Sequence, residues 1–204
     1  MPDDAATVLI QRVQMTHGWI LKITEDLTDE QLAWRLSQTG PPPIGWHLWH
    51  ISRWADRLQA SFPSERPEAN RHADPNQGIW ETEGLAAQWG LNPDLLGLLE
   101  TGALMDKASA SLLPEVGKDK LLAYARRTFA LVDQALDDLD VDQFSGARKS
   151  ILALQIIDGS AIPGPGADTT AAGDIGLHLS HASRHLGMME VIRGMQGLRG
   201  TATI

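Results

Sequence analysis

The chain has no cysteine. That excludes disulfides, iron–sulfur clusters, thiolate zinc sites and a cysteine nucleophile, so any metal must be held by histidine and carboxylate. Basic residues are scarce as well, 17 Lys+Arg against 26 Asp+Glu for a net charge of −9. Such a surface repels phosphate backbones and anionic membranes, and neither nucleic acid nor membrane is an expected partner. No apolar run approaches the roughly 18 residues of a membrane span. The first residues are acidic and lack the basic stretch and apolar core of a secretory signal. A cytoplasmic protein is expected. Strand-like alternation and internal repeats are not visible either.

What is present is an ordinary globular composition, 43% hydrophobic and 21% charged over 204 residues, which predicts a single domain spanning 1–204. A chain of this size hides about 70% of its unfolded surface and needs no staple. Leu9, Val13, Ile20 and Leu27 fall at helical steps, with Ile10 and Ile23 widening the stripe. Thr28 followed by Gln31 has the spacing of a capping box. Pro41-Pro42-Pro43 stops any helix and opens the next, which runs to about Ala60 before Phe62-Pro63-Ser64.

Residues 63–78 read as a loop, 79–89 as a short helix, and 92–113 as a further helix interrupted by Gly97 and Gly102. A long helix is predicted over 118–139, an apolar turn or short helix within 142–158, a Gly/Pro-rich loop over 159–166, and a last helix from 169 to about Met195. The expected architecture is all-α, an up-down four-helix bundle. Residues 63–113 form an elaborated connector, with short helices, between its second and third long helices.

Aromatic and imidazole side chains are distributed unevenly. There are seven Trp against three Phe and one Tyr, and five of the seven His occupy two clusters, Trp46-His47-Leu48-Trp49-His50 and His178-Leu179-Ser180-His181-Ala182-Ser183-Arg184-His185. Residues four apart on a helix share a face about 6 Å apart, so His181 and His185 can chelate one ion. A third imidazole from a facing helix would leave an open coordination position, the arrangement of a catalytic site. His178 and His185 are about 10.5 Å apart along the axis, awkward for one ion. His47 and His50 are not separable by spacing: His50 shares its face with Trp46 and Trp54, and His47 with Ile51, Trp54 and Leu58.

The segment Trp46-His47-Leu48-Trp49-His50-Ile51-Ser52-Arg53-Trp54 after a proline break, followed near the C-terminus by His181-Ala182-Ser183-Arg184-His185-Leu186-Gly187-Met188-Met189-Glu190, resembles the DinB-like (DinB/YfiT) superfamily. The resemblance runs through nearly the whole chain in order. It implies a four-helix bundle with one divalent metal on three histidines, here His50, His181 and His185. It also implies a thiol-dependent transferase or related metalloenzyme acting on a small electrophilic molecule, and a homodimer. The alternative is a non-catalytic, metal-stabilised bundle that binds a small molecule or partner.

Three imidazoles suit Zn or Ni, and also Mn or Fe. A bound ion would deprotonate a low-molecular-weight thiol or acidify water. His47 and His178 are then candidates for proton transfer or for orienting the ligands, with plain packing as the simpler account. Trp46, Trp49 and Trp54 could wall a substrate pocket, although aromatics at helical spacing usually form core. Arg53 and Arg184 could clamp a carboxylate. Glu81, with Glu83 beside Trp80, could reach the pocket as a base or extra ligand, or simply favour a helix start.

Overall fold

The computed structural model describes residues 3–37, 40–62, 77–151, 154–157, 160–163 and 168–201. Helix α1 (Asp3–Glu25) buries Val13, Ile20 and Ile23. Helix α2 (Asp29–Ala33) starts at the expected capping box: Gln31 N–H donates to Thr28 Oγ1 at 3.2 Å, and Thr28 N–H donates to Gln31 Oε1 at 2.9 Å. Helix α3 (Ile44–Ala60) begins after Pro43, whose φ of −71° suits a helix entry, and every residue of it is buried. Two long helices follow much later, α7 (Lys118–Asp137) and α9 (Ala171–Met195). Thr170 Oγ1 accepts from Gly173 N–H to start α9, and Gly197, at φ +73°, closes its end.

These four helices form the bundle. Helix α3 packs against α7 and α9, α1 packs against the same two, and α1 and α3 face each other across the diagonal. The chain therefore crosses the bundle diagonally between its first and second long helices, an arrangement that periodicity does not encode. Lys118 ties the corner by donating to the Glu25 and Leu27 carbonyls at the end of α1, where cationic groups are favoured. No helix among the described residues is long and apolar enough to cross a membrane.

The connector departs from expectation. The predicted short helix over 79–89 divides into α4 (Ile79–Thr82) and α5 (Leu85–Gln88) at Gly84, which is left-handed at φ +62°. The helix expected over 92–113 is absent. The chain there makes single 3₁₀ turns at Pro93–Leu95 and Ser109–Ser111, a bridge between Leu98 and Ala103, and the short α6 (Leu112–Glu115). Gly97 and Gly102 take φ of +73° and +85°, and Leu99, Glu100 and Leu104 are also left-handed, so no helix can run through. Most of 63–78 lies outside the described residues, as do 159 and 164–166 of the expected 159–166 loop, whose described part, Ser160–Pro163, is strand instead.

Strands also occur, contrary to the absence expected from the sequence. After α8 (Val141–Ser145), β1 (Ala147–Lys149) pairs antiparallel with β4 (Asp168–Thr170), and β2 (Leu154–Ile157) pairs with β3 (Ser160–Pro163). Alternation over three or four residues is too short to register as a period. The Asp158-Gly159 dipeptide between two apolar runs was the available hairpin signal. The fold remains all-α with these two small ladders attached.

Candidate metal centre

Helices α3 and α9 face one another, and their packing brings His50 against His181 and His185. His50 Nε2 lies 3.2 Å from His181 Nε2, and His181 Nε2 lies 3.1 Å from His185 Nε2. One nitrogen from each of the three rings falls within 4.8 Å of the others. A tetrahedral ion with bonds of about 2.0–2.1 Å places its donors about 3.3 Å apart, close to the two measured separations. Among the described residues, no carboxylate joins the group as a fourth donor. Both histidines of the first cluster are buried, so burial does not choose between them; the convergence of His50 with both His181 and His185 does.

The neighbours of the rings settle which nitrogens carry protons. His50 Nδ1 meets the Thr101 carbonyl. A carbonyl only accepts, so Nδ1 is the protonated nitrogen and the Nε2 lone pair is free to bind a metal. His185 Nδ1 lies 2.7 Å from His47 Nδ1. With His185 Nε2 turned to the centre, its Nδ1–H donates to His47, which makes His47 an orienting partner of a ligand ring. Trp46 stacks on His50, ring centroids 4.6 Å apart and planes 11° from parallel, and its Nε1–H reaches Met105 Sδ at 3.2 Å. Trp54 presents an edge to His50 and His181.

The fully buried His178 does not join the three. It bonds His17 instead, Nε2 to Nε2 at 2.9 Å, while His17 Nδ1 lies 3.3 Å from Asp133 Oδ1 and its ring stacks on Phe129. The carboxylate fixes the direction of the chain: His17 Nδ1–H donates to Asp133, and His178 Nε2–H donates to His17. His17 was not singled out from the sequence, since a lone histidine carries no spacing signal. Its place between Val13 and Ile20 on the buried stripe of α1 was the available clue.

Arg53 and Glu81 face each other within the fold, Arg53 Nη2 donating to Glu81 Oε1 at 2.5 Å. Arg53 is 0% exposed and also donates to the Glu100 and Leu99 carbonyls. Asp56 collects the Ile79 and Trp80 N–H groups and the Tyr124 hydroxyl, tying α3 to α4 and α7. Glu83 pairs with Arg127 at the surface. Arg184 is exposed, near enough to His181 and His185 for its charge to oppose their protonation.

Gly102 lets the connector close on this site. A Cβ there would lie 2.9 Å from the Trp46 and Trp49 rings and 3.1 Å from His50 Nδ1, so no other residue fits without displacing the loop. Leu99 and Glu100, at φ +55° and +50°, hold a backbone conformation that costs a non-glycine residue about 1–3 kcal/mol.

Burial keeps the imidazoles neutral. It lowers His47 to about 4 against the opposing Pro42 carbonyl, and with the Arg184 charge it lowers His181 to about 4. His185 is lowered by burial and then by the charges of His50, His47, His181 and Arg184. Burial, reinforced by neighbouring imidazoles, also holds His50 and His178 well below the ordinary histidine value. An unfolded chain protonates these rings near pH 6.5, whereas the fold resists protonation until about pH 4, so the unfolded state binds more protons between those limits. Stability of the metal-free protein is therefore full above about pH 6.5 and falls as pH drops toward 4. Denaturant titrations across this range should give a slope corresponding to more than one proton; a flat profile would contradict neutral buried rings.

Comparison with known proteins gives the family and supports the fold. A family model described as the DinB superfamily matches residues 14–189. The chain belongs to the DinB superfamily. The match includes α3, most of α9 and the three converging histidines. No curated protein matches the chain. Among solved structures, a conserved protein from Enterococcus faecalis is similar, with a TM-score of 0.60 at 17% identity over 92% of this chain and 94% of that one. At that identity the likeness concerns the fold of this DinB-superfamily member alone.

Proposed function

We propose that this protein is a mononuclear divalent-metal enzyme that uses a low-molecular-weight thiol to attack a small electrophilic molecule. The observation that carries the reading is the convergence of His50, His181 and His185 with no carboxylate donor beside them among the described residues. A divalent ion on three neutral imidazoles keeps its full positive charge for an incoming ligand and acidifies a thiol or water bound there. Zinc or nickel suits this donor set best, with manganese or iron as alternatives.

The chain's own residues supply the rest. His47 holds the His185 ring through Nδ1 and can take part in proton transfer at that edge. His178, backed by His17 and Asp133, retains an Nδ1 without a hydrogen-bond partner among the described residues and is the other candidate for proton transfer or for orienting the site. Trp54 likewise keeps a buried Nε1–H with no acceptor among them, beside His50 and His181, suited to a polar substrate group. Trp46 walls the site through its stack on His50, and the exposed Arg184 supplies positive charge for an anionic thiol or substrate.

The test is thiol consumption by zinc- or nickel-loaded protein with low-molecular-weight thiols and an epoxide or activated-alkene acceptor. The expected result is metal-dependent consumption that disappears in His185→Ala. A stable metal-loaded protein with no turnover across thiols and acceptors would favour the non-catalytic, metal-stabilised bundle.

A further inference from the structure

The triad needs His50 in one tautomer, and the atom that selects it is a backbone carbonyl in a loop without regular structure. What holds that loop is visible in the hydrogen bonds. Leu99, Glu100 and Thr101 present three successive carbonyls to α3. Arg53 takes the first two, Nη2 to Leu99 O at 3.2 Å and Nε to Glu100 O at 2.8 Å, and His50 Nδ1–H takes the third. Arg53 and His50 are three residues apart, one turn of the same helix face. Leu99 and Glu100 are both left-handed without being glycine, a conformation that persists only where surrounding contacts enforce it. Arg53 is the buried group in contact with both carbonyls, and its guanidinium is itself fixed by Glu81 at 2.5 Å and lies over the Trp80 ring at 5.0 Å.

We propose that Arg53 is a positioning residue for the metal centre: by gripping the Leu99 and Glu100 carbonyls it aims the Thr101 carbonyl at His50 Nδ1 and so keeps the His50 Nε2 lone pair available to the ion. The inference rests on the three-histidine reading of the site. It assigns to Arg53 a role quite different from a substrate clamp, because its donors are already directed into the fold. A planar fork can engage two carbonyls and a carboxylate at once, and a lysine ammonium cannot reproduce that geometry. Arg53→Lys is thus the informative change.

Two readouts separate the parts. In metal-free protein, long-range ¹H–¹⁵N spectra of the imidazoles report the His50 tautomer; in a chelator competition, zinc affinity reports the consequence. Wild type should show His50 protonated at Nδ1. Arg53→Lys should show mixed tautomers and bind zinc about 10–100-fold more weakly, the usual loss when an outer partner of a metal-binding histidine is removed. Asp26→Asn, which weakens the Arg193 ion pair outside the site, should alter neither readout.

If Arg53→Lys does not fold, the triple variant Arg53→Met, Asp56→Asn, Glu81→Gln removes the guanidinium together with the two carboxylates it pairs with, avoids a lone buried ion, and should show the same mixed tautomers. An unchanged tautomer in the folded variant overturns the proposal, as does mixing of equal extent in Asp26→Asn. Wild type that shows the Nδ1–H tautomer yet binds no zinc would refute the metal reading while leaving the role of Arg53 in aiming the carbonyl intact.

Discussion

Replacing Asp56 with alanine should destabilise the protein by about 3–5 kcal/mol, a large share of the 5–15 kcal/mol that holds a typical domain together. The side chain is fully buried and accepts from the Ile79 N–H at 2.9 Å, the Trp80 N–H at 2.8 Å and the Tyr124 hydroxyl at 2.8 Å, with the Gln59 amide at 3.0 Å. Truncation strands two backbone donors and leaves the Arg53 guanidinium with one fewer anion in a region closed to water. Gly78 is shaped to the same carboxylate, since a Cβ there would lie 2.7–2.8 Å from it. In a domain of this length the loss corresponds to a drop in melting temperature of roughly 10 °C. Glu25→Ala, which breaks an ion pair to Arg126 with both side chains about half exposed, should change stability by less than about 1 kcal/mol. Denaturant unfolding of both variants checks the contrast, and equal effects would contradict the role given to the buried node.

The second large effect concerns the centre itself. His185→Ala should weaken zinc or nickel binding by more than the 10–100-fold that loss of an outer partner typically produces, because it removes a donor outright. His47→Ala, which deletes only the group 2.7 Å from His185 Nδ1, should fall within that 10–100-fold range. His178→Ala, outside the three-donor group and bonded to His17, should leave affinity within a few-fold of wild type while disturbing stability. Isothermal titration or chelator competition ranks the three. An order in which His178 matters more than His185 would show that the ion is held elsewhere.

The long helices were legible because apolar residues recur at helical spacing and chemical stops bound some of them, Pro43 before α3 and Gly197 after α9, while the Thr28–Gln31 box marked the short α2. The connector was not. Its apolar residues at 95, 96, 98, 99 and 104 fit a helical pattern locally, yet Leu99 and Glu100 are left-handed with their carbonyls on Arg53, a tertiary arrangement with no local signature. Nor does periodicity state which helices are neighbours, so the diagonal placement of α1 and α3 came only from packing.

At the site, the spacing of His181 and His185 announced a chelating pair. The choice of His50 over His47 could not follow from residues three apart that are both buried; the family resemblance pointed to His50, and the facing rings place it beside the pair. The chemistry of Arg53 and Glu81 was equally hidden, because a cation and an acid near a cluster look alike whether they face solvent, a substrate or each other. Their 2.5 Å pairing, with the guanidinium fully buried, distinguishes these cases.

X-ray absorption on the metal-loaded protein, combined with elemental analysis, tests the central claim most directly. The account predicts one ion per chain, three imidazole nitrogens at about 2.0–2.1 Å for zinc, and an exchangeable light-atom ligand that a thiol replaces with a sulfur near 2.3 Å. A first sphere of four protein ligands that a thiol cannot enter, or an unchanged spectrum and stoichiometry in His185→Ala, would contradict it.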